Sequence, residues 1–506
     1  MKPAYLGIDC GSTSVKCLAI GADGCPLGVA SRTYPTYSPQ DGWMEQDPGT
    51  WLEAATASVR ECVRSLGNHA IQAIAFSGNM SSPVFLDAAC RPVYRCMLVG
   101  DARCAQQAKA LTCSFAEDFR SASGNIPDAC FAAAKLLWFR DNCPEQYAKT
   151  TQFVFAKDYL RYQFTGVLNT EPTDAGNTLL YDVQTANWNW TLIREIGLRE
   201  EIFPQLLPST AQSGTLLAEV ARECGLPAGI PVFCGGADMA CSQLGTKCFL
   251  PDALSITLST SGQVCMNVDG WRREGYGRVT FHPGVLPQLH YAMGSVFSGG
   301  LALNWCYKLL FGRETLGKED FDRMNALSCQ ISGYAPGESG MLFLPFLSGS
   351  GTPYFSPVDR GSLLGLTIAT EPARYFSAVM EGVTMHIREN ADVFRDMGCD
   401  IRRVFVGGGG THMRHWMQML ATVLDREVEI LQCPDASTLG AALIALAGTE
   451  PQLYLMQLAE QAVQVCGVIH PQKEYTRRYE ELFLIYQSCY QAVHQINEQL
   501  SAFLGS

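Results

Sequence analysis

The stretch Tyr5-Leu-Gly-Ile-Asp-Cys-Gly-Ser-Thr-Ser-Val-Lys-Cys-Leu-Ala-Ile20 constrains this chain more than any other. An apolar run ends in Asp9, small residues turn the corner at Gly11-Ser12-Thr13-Ser14, and a second apolar run follows from Val15 to Ile20. Two β-rich runs joined by a few small residues predict a hairpin. Its tip carries hydroxyls and backbone N–H groups that no bulky side chain covers, which suits phosphate oxygens. Asp9, at the end of the first strand, suits Mg²⁺, a cation that prefers carboxylate oxygen and keeps several waters. An ordinary hairpin with an Asp in its turn fits the same residues. A phosphate role therefore needs the support of further corners downstream.

The chain then alternates. A strand over Leu27 to Tyr34 is followed by Asp47 as a helix N-cap, Pro48 at the first helical position, and Trp51, Ala55 and Val59 at helical spacing. The pattern returns to a strand, Ile71 to Ser77, and predicts an α/β fold. Asn79, Met80 and Ser81 lie just past that strand's carboxyl end, where α/β folds place ligands, and Asp101 and Arg103 mark the next such end. Residues 131–225 are richer in helix, with Phe131–Phe139 and Asp158–Phe164 read as amphipathic. Pro231 to Ala237 is a short strand running through Gly235-Gly236 into Asp238, and the domain boundary is placed after it, giving 1–250 and 251–506.

The second half opens with a second hairpin, Leu254 to Val268, whose Ser259-Thr260-Ser261-Gly262 corner echoes the first. Gly299-Gly300 leads into a helix, and a strand from Arg403 runs into Gly407-Gly408-Gly409-Gly410 before another. Glycines between strand and helix let a base or phosphate lie against backbone. Leu439 to Ala447 is a small-residue core helix, and from Glu474 the aromatics recur at helical steps on one long amphipathic helix.

Composition narrows the functions. With 506 residues, two to four domains are expected, and 47% apolar content supplies their cores. A net charge of −12 disfavours nucleic acid as a partner, because phosphate backbones are met with clustered Lys and Arg. The cysteines number 21, an odd count without a Cys-x-x-Cys, and Met1-Lys-Pro leads straight into a strand. No apolar run is long enough to span a membrane. The expectation is a cytoplasmic protein with reduced, packed thiols, Cys241 and Cys248 among them, and no membrane partner.

The order of the three corners resembles the sugar kinase–Hsp70–actin ATPase superfamily. The closer resemblance is to the FGGY carbohydrate kinases, over nearly the whole chain. It rests on Gly42-Trp43-x-Glu45-Gln46-Asp47-Pro48-x-x-Trp51, on Lys135-Leu-x-Trp138-Phe-x-Asp141-Asn142, and on Asp158-Tyr159-Leu160 with Thr165-Gly166 and Asp174-Ala175. It rests also on Asp359-Arg360-Gly361 to Gly365-Leu366 with Ala378-Val-Met-Glu381-Gly382. The resemblance implies two ribonuclease-H-like, actin-like ATPase domains around a central cleft. It implies an ATP- and Mg²⁺-dependent transfer of phosphate to a sugar hydroxyl.

Position by position, Asp238 matches the family's catalytic base and Asp9 the acidic residue near Mg²⁺. Gly11, Ser12, Thr13, Ser14, Lys16 and Thr260 fall on the phosphate side; Gly300, Asn304, Gly408 and Gly409 fall on nucleotide-contacting positions. Asn79, Met80, Ser81, Asp101, Arg103 and Asp238 fall near the sugar. Xylulokinase-like members are the best match in length, which makes a ketopentose such as D-xylulose the expected substrate, and family habit makes a homodimer the expected assembly. The departures lie on the sugar side. Xylulokinases carry Gln-Met-His where this chain has Asn79-Met80-Ser81, glycerol kinases carry Arg-Glu at Met80-Ser81, and the usual Trp before Asp101 is absent. Another ketose, a deoxy sugar, a polyol, or an actin-like or chaperone-like ATPase role are the alternatives. Asp238 is expected to keep an ordinary carboxyl pKa and to be ionised at pH 7.

Overall fold

A computed structural model describes residues 1–368, 370–433, 435–450 and 454–504. Its first sheet is built from β1 (Lys2–Cys10), β2 (Ser14–Gly21), β3 (Pro26–Thr33), β4 (His69–Gly78), β5 (Gln212–Thr215) and β6 (Pro231–Ala237), in the order β5-β6-β4-β1-β2-β3. Strands β6, β4 and β1 run parallel, and β1, β2 and β3 form an antiparallel meander. The second sheet repeats the plan with β7 (Ala253–Leu258), β8 (Gly262–Val268), β9 (Thr280–Pro283), β10 (His290–Val296), β11 (Arg403–Gly407), β12 (Val428–Gln432) and β13 (Gln464–Ile469). Their order is β9-β10-β8-β7-β11-β12-β13, again with an antiparallel meander joined to parallel strands. Both hairpins read from the sequence are present, each turning on three small residues. This is a two-domain α/β architecture with mixed sheets.

The helices that matter for the site are α1 (Trp51–Arg64), α2 (Ala132–Asn142), α3 (Ala156–Thr165), α4 (Asp238–Gly245), α5 (Gly300–Phe311), α6 (Pro372–Asp396), α7 (Arg414–Leu424), α8 (Ala436–Thr449) and α9 (Lys473–Leu504). Asp47 caps a 3₁₀ turn over Pro48–Thr50 that leads into α1, its carboxylate accepting from the Gly49 N–H. Helix α9 buries Tyr479, Phe483, Tyr486 and Tyr490, so its aromatic stripe is packing. The segment read as amphipathic at Phe131–Phe139 is not: residues 131–139 are buried throughout, because the helix is wrapped by aromatic neighbours such as Phe85 and Tyr147. Cys241 and Cys248 are buried thiols, as expected. Among the described residues no helix is long and apolar enough to cross a membrane.

Helix α8 holds the two halves together. It follows β12 of the second sheet yet packs on β1 and β4 of the first and against α4. The approach is backbone to backbone. A Cβ on Gly7 would lie 2.1 Å from the Thr438 carbonyl oxygen, and one on Gly440 would lie 2.0 Å from that of Cys241. Leu439, Leu443 and Leu446 of α8 thereby share one core with Tyr5, Ala73 and Phe233 of the first sheet and Phe405 of the second. Overpacking costs about 1–3 kcal/mol where side chains can yield, and a carbonyl in a packed helix cannot. Gly440→Val should therefore lower unfolding stability by at least about 3 kcal/mol, read as a drop in the urea midpoint.

Candidate active site

Register brings the carboxylates together. Asp9 sits opposite Ser77 across β1 and β4, and Ser77 sits opposite Gly236 across β4 and β6. The carboxyl ends of three parallel strands thus align, and Asp238, the first residue of α4, emerges from the same edge as Asp9. Strand spacing sets the two backbones about 10 Å apart. Lys16 is the cross-strand partner of Asp9 in the hairpin. Its ammonium pairs with Asp435, which caps α8 by accepting from the Thr438 N–H at 3.1 Å and the Thr438 hydroxyl at 2.6 Å. The site therefore gathers Asp9, Asp238, Asp435 and Lys16 from both halves of the chain.

Three carboxylates lie in the field of one ammonium, and their proton affinities respond. Burial pushes the Asp9 carboxyl up to about 6, with the charge of Asp435 adding to it. Burial pushes Asp238 up to about 7, and the charge of Asp9 adds to that. Asp238 keeps part of its surface open to the cleft, but the protein around it removes most of its hydration. Burial acts on Asp435 too, yet Lys16 and Thr438 outweigh it and hold that carboxyl below the usual range. The ordinary pKa expected for Asp238 is thus corrected: desolvation and a like charge both oppose ionisation.

Asp9 is 4% exposed and its Oδ1 has no hydrogen-bond partner. A buried, orphaned carboxylate oxygen in a cleft with excess negative charge fits Mg²⁺. No group of three or more metal-ligating side chains gathers among the described residues.

The hairpin tip stands free above this edge. Ser12 and Thr13 are exposed, Gly11 is half-buried and Ser14 buried. Gln46 fixes the tip from behind, its Nε2 donating to the Ser12 carbonyl at 2.6 Å while its Oε1 accepts from the Trp51 indole at 3.2 Å. The second tip, Ser259-Thr260-Ser261, is exposed at Ser259 and Thr260 and anchors the start of α5. The Gly300 N–H donates to the Ser259 carbonyl at 2.8 Å and the Leu301 N–H to that of Thr260 at 2.9 Å. Gly408 (φ +90°) places its backbone against the Leu258 carbonyl, 2.4 Å from where a Cβ would sit. Gly300, Thr260 and Gly408 are therefore brought together at the end of β7. Gly409 is uncovered, and Asn304 is half-buried one turn into α5.

The residues expected near the sugar are drawn into internal contacts. The Asn79 Nδ2 donates to the Cys10 carbonyl at 2.9 Å and its Oδ1 accepts from Ser82. Ser81 (φ +59°) donates to the Asn177 carbonyl, and its own carbonyl accepts from the buried Lys135 ammonium at 2.9 Å. Of the three corner residues, Met80 alone is half-buried. Arg103 is enclosed: its guanidinium pairs with Asp101 at 2.6 Å and Glu45 at 2.7 Å, and lies 3.6 Å over the Trp43 ring. Asp101 also accepts from the Met44 N–H at 2.7 Å. These two residues form a closed ion pair behind the corner.

Sequence reasoning missed Asp435. The available signal was an N-cap pattern, Asp435-Ala-Ser-Thr438, ahead of a small-residue helix. It was hidden because helix caps are common and nothing local says that this helix docks on the other domain.

Residues 4–245 match the model of the N-terminal domain of the FGGY family of carbohydrate kinases, and residues 256–449 match that of its C-terminal domain. A xylulose kinase of Lactococcus lactis is 30% identical over 504 residues, covering 98% of this chain and 98% of that one. A xylulose kinase of Bacillus subtilis is 29% identical over 500 residues, covering 98% and 99%. The crystal structure described as a xyloylose kinase from Brucella ovis superposes with a TM-score of 0.88 at 29% identity, over 97% of this chain and 100% of that one.

The cleft carboxylates carry a stability signature. Asp238 holds its proton to about pH 7 in the folded chain against an ordinary value of 3.8. The stability it contributes is full below the ordinary value and is lost as pH rises through 7. Asp238→Asn, which cannot ionise, should therefore exceed wild type in thermal stability at pH 8 by on the order of a few kcal/mol. The gap should close below about pH 4, as differential scanning fluorimetry across pH will show.

Proposed function

The chain belongs to the FGGY family of carbohydrate kinases, and from that premise we propose that it transfers the γ-phosphate of ATP to a hydroxyl of D-xylulose or a closely similar ketopentose. The observation that carries the reading is the shared sheet edge of Asp9 and Asp238, with two hydroxyl-rich hairpin tips, one in each half. The relatives named xylulose kinase, matched over almost their full length, support the choice of sugar.

Asp238 is the general base in this reading. It takes the proton of the attacking sugar hydroxyl as that oxygen bonds to phosphorus and ADP departs. Phosphoryl transfer asks little covalent work of a protein, so positioning and charge neutralisation dominate. The N–H groups and hydroxyls of Gly11, Ser12, Thr13, Ser14 and Thr260 hold phosphate oxygens, and Lys16 supplies the positive charge beside them. Gly300, Asn304, Gly408 and Gly409 line the nucleotide. Asp9, with its free oxygen, holds Mg²⁺, which supplies charge neutralisation on the phosphates. Asn79, Met80 and Ser81 shape the sugar end, and Asp101 and Arg103 support that end through their buried pair. A raised base pKa suits this chemistry: a base works best near the operating pH.

One observation favours a variant of this reading. Asn79 and Ser81 spend their polar atoms internally, leaving the Met80 thioether as the side chain of that corner without a hydrogen bond. That favours a ketose or deoxy sugar with fewer hydroxyls at this end.

A coupled ADP-release assay over ketoses, aldoses and polyols decides between them, with D-xylulose expected to stimulate most. Asp238→Ala should lose about 10²-fold or more in kcat. An Asp238→Ala enzyme with near-normal turnover removes the base assignment; ATP hydrolysis indifferent to every sugar removes the kinase. For the free enzyme, kcat/KM should rise with pH through about 7, as Asp238 gives up its proton.

A further inference from the structure

Asp238 follows an irregular strand end. The register of β6 against β4 shifts between Phe233 and Gly236, and Gly235 takes φ +75°. A bulge of this kind re-aims the residues that follow it. The carboxylate itself accepts from the Met239 N–H at 2.7 Å, and the course of the backbone that carries both depends on what pins it just before Asp238.

The pin is a side chain from another segment. The Ala237 N–H, one peptide before Asp238, donates to the Thr173 hydroxyl at 2.8 Å. That hydroxyl donates in turn to Glu171 Oε1 at 2.7 Å. Glu171 is held on all sides: it accepts from the Thr173 N–H at 2.9 Å, the Asp174 N–H at 3.0 Å and the Ser209 hydroxyl at 2.6 Å, and the Lys157 ammonium lies 3.2 Å away. Thr173 and Glu171 are 0% exposed. Lys157 is anchored too, pairing with Asp158 at 2.6 Å and Asp174 at 3.0 Å, and its Cβ packs against Gly78 at the end of β4. A hydrogen bond that ends on a charged carboxylate is stronger and more directional than a neutral one. The order Lys157, Glu171, Thr173, Ala237 therefore fixes the Gly236–Ala237 peptide, one link before the residue that carries the carboxylate.

We propose that Thr173 is a positioning residue for phosphoryl transfer: its hydroxyl ties Glu171 to the peptide preceding Asp238 and so sets the direction of the carboxylate. This rests on the reading of Asp238 as the base. Thr173 does not reach the cleft, so its effect falls on the chemical step and not on substrate affinity. A misplacement of about 1 Å at a reacting group can cost about 10²-fold.

The test uses the full chain, its most active sugar and ATP. Thr173→Val keeps the shape and removes the hydroxyl; Thr173→Ser keeps the hydroxyl. The expected result is a kcat about 10- to 100-fold lower for Thr173→Val, with KM for sugar and ATP within about twofold and Thr173→Ser within about threefold of wild type. In an Asp238→Asn background, Thr173→Val should cause no further loss, because its effect is routed through the missing carboxylate. If Thr173→Val does not fold, Thr173→Cys, whose thiol is a weak partner, takes its place beside Thr173→Ser. A near-normal kcat for the hydroxyl-less variant, a loss confined to KM, or an undiminished extra loss in the Asp238→Asn background each overturns the proposal. An active Asp238→Asn enzyme removes the base assignment instead, whichever way Thr173→Val behaves.

Discussion

The contact between α8 and the first sheet is the constraint on which the rest depends. Glycines at positions 7 and 440 let a helix of the second half lie with its backbone against a strand and a helix of the first. The end of that helix is then not free to choose its surroundings. Asp435 caps it, and docking delivers this carboxylate to Lys16 and into the field of Asp9. A packing decision made by small residues thereby becomes an electrostatic one, and the cleft acquires a third carboxylate from the far end of the chain.

Burial raises the proton affinity of Asp9 and Asp238, and the charge of Asp435 adds to it. Among the described residues neither Asp9 nor Asp238 forms an ion pair; Lys16 is turned toward Asp435. Two carboxyls with raised proton affinity and one orphaned oxygen leave this edge with more negative charge than Lys16 offsets. The cost of holding them is borne by the cores on either side. The motif residues outside the cleft do a different task. Glu45 and Trp43 clasp Arg103, Gln46 steadies the hairpin tip, and Lys135 holds the Ser81 carbonyl. Asp359 accepts from the Tyr490 hydroxyl at 3.1 Å and lies 2.7 Å from a ring nitrogen of His494. These residues keep loops in place, which is why the pattern spreads over the whole chain while the chemistry occupies one edge.

The hairpins at Tyr5–Ile20 and Leu254–Val268 were legible because β-rich runs and small turns are local signals. Asp238 was legible for the same reason, as a carboxylate after two glycines at a strand end. Its proton affinity was not, since desolvation depends on walls that meet only in three dimensions. The Phe131–Phe139 helix was misread because its spacing resembles a one-sided stripe, while aromatic side chains from distant segments cover the other side. Asp101 and Arg103 were read as lying near the sugar, and only the folded chain shows the ion pair they make with each other and with Glu45. Thr173 carries no local signal at all: its partner, the Ala237 N–H, lies 64 residues away and meets it only in the folded chain.

The placement of α8 also has a consequence for how this protein is made. Roughly 200 residues separate the end of β6 from the start of α8, so at about 5–20 residues per second the first sheet waits on the order of ten seconds or more for the helix that covers it. During that time Tyr5, Ala73 and Phe233 lie on a finished sheet with an open apolar face. The first sheet of the nascent chain therefore lacks its α8 cover until residues 436–449 have been made.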